Sequence, residues 1–132
     1  MFPRRLKIRG FLASGVPSED MEHICTVNHI RKTWPAALFT ISPSGMKLPV
    51  TVAMKFAAMG YRAGTPDILI LEPKGKYHGL LVEMKIQKGG KVSPEQTRFI
   101  EEAQARGYYA VVCCGAQIAI HVIDAYMEGR VV

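Results

Sequence analysis

The sequence has few cysteines and no long apolar run, and each shortage removes a class of protein. Only three of the 132 residues are cysteine, and two of them are adjacent, at Cys113 and Cys114. The chain therefore has no disulfide framework and no paired CxxC zinc motif, and we expect the cysteines to be small core residues. The longest apolar runs, at residues 68–71 and 110–114, fall far short of the roughly 20 residues that a membrane-spanning helix needs.

The basic start of the chain lacks the features of a signal peptide. Four Lys and Arg residues lie within the first nine positions, but the apolar stretch that follows is only Phe11-Leu12-Ala13. We therefore expect an intracellular protein. The punctuating glycines and proline of residues 1–17 predict a basic N-terminal arm, and residues 18–132 are predicted to form one domain, since about 100 to 200 residues usually build one hydrophobic core.

Acidic residues are also scarce, because 11 Asp and Glu stand against 17 Lys and Arg, which gives a formal net charge of +6. This balance is compatible with a polyanionic partner such as nucleic acid. A hydrophobic content of 48% is too high for a disordered chain. No Ser-His-Asp arrangement is recognisable, which disfavours covalent catalysis.

The apolar pattern predicts helices that alternate with short strands. A first helix is expected from Ser18, its N-cap, to about Trp34, with an apolar stripe that includes Ile24 and Cys25. Three more helices and four strands follow: helices at residues 50–59, 93–107 and 116–127, and strands at 38–41, 68–71, 80–85 and 108–114. The two middle strands should form an antiparallel hairpin, and the helix after residue 93 should cross over to a parallel strand. The expected fold class is α/β, a small mixed sheet with helices on both faces.

Three charged residues interrupt this apolar pattern at one place. Asp67 precedes the strand at residues 68–71, and Glu83 and Lys85 lie two residues apart in the next strand. Alternate residues of a strand share a face, so Asp67 can meet Glu83 and Lys85 across the hairpin. Two carboxylates beside an ammonium group offer oxygen ligands for Mg²⁺ or Mn²⁺ and a cation that orients a water. The alternative is a solvated Glu-Lys pair on an edge strand.

These residues fall in three segments whose order and spacing resemble a nuclease family. The segments are residues 64–67 (GTPD), 79–85 (GLLVEMK) and 90–96 (GKVSPEQ). They resemble the PD-(D/E)xK superfamily and, within it, the VRR-NUC family in its stand-alone, virus-type form, found in phages and bacteria. The resemblance implies a restriction-endonuclease-like fold for residues 18–132 and a cytoplasmic location in a bacterial or phage-infected cell.

The resemblance also implies roles for individual residues. Asp67 and Glu83 would bind the divalent metal, Mg²⁺ or Mn²⁺, and Lys85 would position the attacking water and stabilise charge on the phosphate. Gln96 matches the additional polar residue of the family's site. A glutamate of the first helix would be a further ligand, for which Glu22 is preferred and Glu19 is the second choice.

A set of side chains in the flanking loops and at a helix start is predicted to contact DNA phosphates: Lys74, Lys76, Lys88, Lys91 and Ser93. In one respect the chain departs from the family, because it has Ser44-Gly45 where relatives often have an Asn-Gly turn. The methionines Met46, Met54 and Met59 are expected in the core.

The predicted function is a Mg²⁺- or Mn²⁺-dependent DNA endonuclease that hydrolyses phosphodiester bonds. The stand-alone relatives that the chain resembles are similar to structure-specific enzymes that act as homodimers on branched DNA, so a four-way junction is the first expected substrate. Two symmetric sites could cut two strands of a junction. Two alternatives remain open: a nuclease for flaps, nicks or single strands, and a module that binds nucleic acid without cutting it.

Overall fold

A four-stranded sheet with helices around it forms the body of the chain. The computed structural model describes residues 18–131, and the predicted arm at residues 1–17 lies outside them. In chain order the elements are α1 (Glu19–Thr33), β1 (Phe39–Ile41), α2 (Val50–Ala58), β2 (Ile68–Ile70), β3 (Leu80–Lys85), α3 (Pro94–Ala105), β4 (Tyr109–Cys114) and α4 (Ala116–Met127). A 3₁₀ turn at Pro43–Gly45 follows β1. None of the described helices is long and apolar enough to cross a membrane.

The sheet has the order β1-β2-β3-β4 and is mixed. β2 pairs with both β1 and β3 in antiparallel fashion, while β3 and β4 are parallel. The hairpin and the crossover through α3 confirm the predicted topology. Ile68 of β2 lies opposite Val82 of β3, so the residue before β2 lies beside the residue after Val82.

The two faces of β3 bury different sets of side chains. Leu80, Val82 and Met84 pack into the larger core cluster, which also contains α1 and α4 residues such as Ile30 and Ile123. Leu81 faces the opposite side and packs with a smaller cluster that contains Ile100 and Ala103 of α3 and Ala110 of β4. Strand alternation puts Glu83 and Lys85 on the Leu81 side, where the first turn of α3 lies beyond the end of the apolar cluster.

Capping residues define the helix starts as the sequence predicts. The Ser18 hydroxyl accepts a hydrogen bond from the Met21 amide at the start of α1. At α3, Ser93 and Gln96 form a capping box in which each side chain accepts a hydrogen bond from the other residue's backbone amide. The first turn of α3 is therefore rigidly defined.

The buried face of α1 differs from the predicted apolar stripe. Ile24 and Cys25 are exposed, and the buried residues are Glu22, Thr26 and Ile30. The polar side chains turn inwards because they find partners there: Thr26 donates to the Glu22 carbonyl, and Glu22 binds groups at the start of α4. The stripe was wrong at these two positions, because apolar periodicity does not register buried hydrogen bonds, whereas Val27 of the same stripe packs against the larger core cluster.

Helix α2 differs from the expectation of a buried helix. All nine of its residues are exposed, and no other described helix or strand packs against it. Met46, Met54 and Met59 are 61%, 66% and 74% exposed, so their assignment to the core was wrong. The apolar pattern gives the period of this helix correctly but cannot show whether the chain itself covers it.

The cysteines divide between the core and the surface. Cys113 is buried, whereas Cys25 and Cys114 are exposed, and all three are free thiols. The prediction of core residues therefore holds for Cys113 alone.

Candidate active site

Asp67, Glu83 and Lys85 come together at one end of the β2-β3 pair and are all buried. Their exposed fractions are 3%, 1% and 9%. The register that pairs Ile68 with Val82 brings Asp67 opposite Glu83, and the Lys85 ammonium lies 3.6 Å from Glu83 Oε1. Charged groups are rarely buried unless they are paired or bind a metal, so this is not the solvated edge pair of the alternative interpretation.

Glu83 is only half satisfied by its neighbours. Its Oε1 accepts a hydrogen bond of 2.7 Å from Gln96 Nε2, at the first turn of α3. Its Oε2 is buried and has no hydrogen-bond partner among the described residues. Burial, reinforced by the negative charge of Asp67, raises the pKa of Glu83 to about 8, although Lys85 acts in the opposite direction. The position therefore disfavours a bare negative charge and leaves one oxygen available to a cation.

Both carboxylate oxygens of Asp67 are held in place. Oδ2 accepts a hydrogen bond of 2.7 Å from the Met84 backbone amide, and Oδ1 accepts one of 3.1 Å from the Ser44 hydroxyl. Asp67 also lines a surface groove together with Asp20 and His23 of α1.

Two glycines allow the backbone to approach the site closely. Gly64 has φ +89°, and a Cβ there would lie 2.3 Å from the Glu95 carbonyl oxygen, so this turn packs directly on the first turn of α3. A Cβ at Gly90 would lie 3.0 Å from Lys85 Cβ, so the loop after β3 passes over the lysine stem. Close packing thus explains why glycine begins the segments at residues 64–67 and 90–96.

The two candidate glutamates of α1 have different surroundings. Glu22 is 4% exposed, and its carboxylate accepts hydrogen bonds from the Ala116 amide and, at 2.9 Å, from Gln87 Nε2. It thus caps α4, whose N-cap is a glycine without a side chain. Burial raises the pKa of Glu19. The positive charge of Lys85 acts to lower this pKa, and the negative charge of Asp67 acts to raise it. The charged cluster therefore influences Glu19.

The predicted DNA-binding residues fall into two groups. Lys88 and Lys91 are exposed on the loop that passes over Lys85, and Ser93 caps the helix that carries Gln96. Lys74 and Lys76 lie in the turn between β2 and β3, which is at the other end of the hairpin from Asp67. The length of β2, about 10 Å at 3.3 Å per residue, separates that turn from the charged cluster.

Three hydroxyl residues near Asp67 have no counterpart among the predicted site residues. The hydroxyl oxygens of Ser42 and Ser44 are 2.7 Å apart, and the Ser44 hydroxyl donates a hydrogen bond to Asp67 Oδ1. Burial raises the pKa of Tyr61, as do the charges of Asp67 and Glu83, while hydrogen bonding to Ser44 opposes the rise. The departure from Asn-Gly at Ser44-Gly45 was the one sequence signal at this place.

The cluster can be tested for its fit to a divalent cation. No group of three or more His, Cys, Asp or Glu side chains within residues 18–131 is arranged to hold a metal ion. Mg²⁺, however, is commonly bound by one or two carboxylates, with water and substrate phosphate as the other ligands. Asp67 and Glu83 fit that donor set, and the unpartnered Glu83 Oε2 is a buried oxygen that a cation would satisfy.

Comparisons with known proteins identify the family and the fold. The family model of the VRR-NUC domain matches residues 28–117. A solved structure described as a VRR_NUC domain protein is 30% identical, has a TM-score of 0.72, and the match covers 85% of this chain and 89% of that one. A second, described as a VRR_NUC domain, is 23% identical with a TM-score of 0.51, covers 80% of this chain and 97% of its own, and shows the fold alone. No curated protein matches the chain.

The family match covers more than half of the chain and contains Asp67, Glu83, Lys85 and Gln96. Both solved structures support the mixed sheet with flanking helices. The chain therefore belongs to the VRR-NUC family of nuclease domains.

Proposed function

We propose that this nuclease domain is a PD-(D/E)xK deoxyribonuclease that hydrolyses DNA phosphodiester bonds internally and depends on Mg²⁺ or Mn²⁺. The observation that carries the proposal is the buried pair of Asp67 and Glu83 beside Lys85, with Glu83 Oε2 unpartnered among the described residues. A buried acidic oxygen without a partner is costly unless a cation or proton satisfies it. The pair thus favours a catalytic site over a surface that only binds DNA.

Asp67 and Glu83 would hold the ion, and Glu19 is the α1 carboxylate that we assign beside them. This choice replaces Glu22, because the Glu22 carboxylate caps the start of α4, whereas the charges of Lys85 and Asp67 act on Glu19. When bound, the metal ion would supply Lewis acidity at a phosphate oxygen and would lower the pKa of a water.

The remaining residues orient these groups and offset the charge of the substrate. Gln96 fixes Glu83 through its 2.7 Å hydrogen bond, while its own side chain is fixed by the capping box. The Lys85 ammonium supplies a positive charge where the phosphate acquires negative charge during hydrolysis. Lys88 and Lys91 are proposed to bind phosphates on either side, with Ser93 at the start of α3.

For the DNA class, we propose branched DNA cut by a homodimer in the cytoplasm of a bacterial or phage-infected cell. Helix α2 supports a second copy of the chain as partner: seven of its nine residues are apolar, and all nine are exposed. A helix that is apolar on all sides is normally buried. With one lysine as its only charged residue, α2 does not suit a phosphate backbone, whereas a two-fold pair of α2 helices would cover both copies.

Cleavage of labelled four-way junction, flap and linear duplex DNA with Mg²⁺ or Mn²⁺ tests the nuclease. Lys85→Ala and Glu83→Ala should each lower the rate by about 100-fold or more, the usual cost of removing a group that stabilises the transition state. Lys32→Ala, an exposed lysine in the last turn of α1, and Glu101→Gln, an exposed glutamate of α3, are matched controls that should cut normally.

The results of these cleavage assays distinguish the proposed function from its alternatives. Preferential cutting of the junction supports the proposed substrate, whereas equal cutting of flap or linear DNA rejects it and leaves the nuclease. DNA binding without cleavage by the wild type under either metal would favour the non-catalytic module.

Sedimentation equilibrium tests the dimer. Met54→Glu should convert a dimer to a monomer, because it puts a charge in the centre of α2 without altering the protein's own core. Ile118→Glu is the matched control, an exposed apolar residue of α4. A monomeric wild type, or a dimer that Met54→Glu leaves intact, contradicts an α2 interface.

A further inference from the structure

A pair of serines after β1 braces the Asp67 carboxylate. Ser42 directly follows β1. Its amide donates a hydrogen bond of 2.9 Å to the Asp67 carbonyl, and its hydroxyl donates one of 2.8 Å to the Pro66 carbonyl. Ser44, in the 3₁₀ turn, donates 3.1 Å to Asp67 Oδ1. The turn that follows β1 is thus tied to both the backbone and the side chain of Asp67.

The order of the hydroxyl protons follows from the charge of the carboxylate. An ionised Asp67 can only accept, so Ser44 must donate its single proton to Oδ1. The single Ser42 hydroxyl proton has two acceptors within reach, the Pro66 carbonyl at 2.8 Å and the Ser44 hydroxyl at 2.7 Å. With either acceptor, Ser42 holds the turn that carries Ser44 against Asp67.

Helix α2 is connected to this pair through Tyr61. The Gly60 and Tyr61 amides donate to the Ala57 and Phe56 carbonyls, the two hydrogen bonds of a Schellman motif at the end of α2. The motif fixes Tyr61 relative to α2, and the neighbouring Ser44 acts to lower the pKa of Tyr61.

We propose that Ser44, supported by Ser42, is a positioning residue that fixes the plane of the Asp67 carboxylate for a divalent cation. The proposal rests on the proposed metal-dependent function. With Oδ2 held by the Met84 amide and Oδ1 by Ser44, the carboxylate cannot turn about its Cβ–Cγ bond. A ligand that is already oriented loses less conformational freedom when the ion binds.

Titration of Mn²⁺, followed by its electron paramagnetic resonance signal in the absence of DNA, tests this role. Ser44→Ala should raise the Mn²⁺ dissociation constant by about tenfold, the effect of one lost hydrogen bond to a charged group. Thr33→Ala is the matched control, because it removes a hydroxyl at the far end of α1. Ser44→Ala should lower the thermal midpoint by only a few degrees, the cost of one lost hydrogen bond, and Thr33→Ala should leave it near that of the wild type.

A double variant tests whether Ser42 acts through Ser44. Ser42→Ala alone should weaken Mn²⁺ binding by about threefold, and adding it to Ser44→Ala should cause no further loss, because the Ser42 hydroxyl affects the Asp67 carboxylate only through Ser44. In cleavage assays, saturating Mn²⁺ should restore the rate of Ser44→Ala to within about twofold of the wild type.

Three results would overturn the proposal. Tighter Mn²⁺ binding by Ser44→Ala would mean that the hydroxyl competes with the ion, and unchanged binding would mean that it does not orient Asp67; in both cases the metal-dependent nuclease survives. If the wild type binds neither Mn²⁺ nor Mg²⁺, the positioning role and the metal dependence fail together.

Discussion

The raised pKa of Glu83 predicts that the metal-free protein loses stability as the pH rises. The pKa is about 8 in the folded chain and 4.5 for an ordinary glutamate, so between these values the folded state binds more protons than the unfolded state. Stability therefore falls with increasing pH over this window. A difference of one pKa unit corresponds to about 1.4 kcal/mol.

Between about pH 5 and pH 7.5, the free energy of unfolding should fall by about 3 kcal/mol if the full pKa difference applies. Allowance for solvent screening from the groove beside Asp67 reduces this fall to about 2 kcal/mol. Urea unfolding in the presence of a chelator measures it. Glu83→Gln removes the titrating group, so we expect this variant to show a slope that is flatter by the same amount. Glu101→Gln, on the exposed side of α3, should keep the wild-type slope.

Addition of Mg²⁺ or Mn²⁺ extends the test. A cation at Glu83 displaces the proton, so the ion should stabilise the wild type more at pH 7.5 than at pH 5, and it should do so much less in Glu83→Gln. Identical pH slopes for the wild type and Glu83→Gln would refute the reasoning, because the burial of Glu83 would then carry no proton linkage.

Three further substitutions test the surroundings of the site. Gly64→Ala should destabilise the fold by about 3 kcal/mol, since it combines a positive φ with an overlap against the α3 backbone; a thermal midpoint within about 2 °C of the wild type would contradict this. Glu22→Ala should cost about 1 to 3 kcal/mol in urea unfolding, because the buried Ala116 amide loses its acceptor, and Glu22→Gln should cost less. Asp124→Ala should destabilise by about 1 to 2 kcal/mol, because the Trp34 indole loses its 2.8 Å acceptor, and tryptophan fluorescence would report the change.

Local signals in the sequence determine much of this fold. The bounds of β3 and α4 agree with the prediction, and the Ser93-Gln96 capping box was predicted from its four residues alone. These features depend on neighbours within a few positions. The meeting of Asp67 with Glu83 and Lys85 could also be predicted, because a short hairpin and strand alternation leave few other arrangements.

Features that depend on partners distant in the chain could not be predicted. Glu22 turns inwards because an amide 94 positions away needs an acceptor, a contact that has no local signal. Ser44 acquires its significance only when residues after β1 meet the start of β2. The exposure of α2 could not be predicted from its sequence either. A helix has the same apolar residues whether its own chain or another molecule covers them.

Gln96 unites two tasks in one side chain. Its amide oxygen completes the cap of α3, and its amide nitrogen holds Glu83. If the first turn of α3 frays, Glu83 loses the hydrogen bond from Gln96 that orients it. The alignment of Glu83 therefore depends on an intact first turn of α3. Substitutions that alter the helix start will consequently change turnover, even though they lie outside the cluster of Asp67, Glu83 and Lys85.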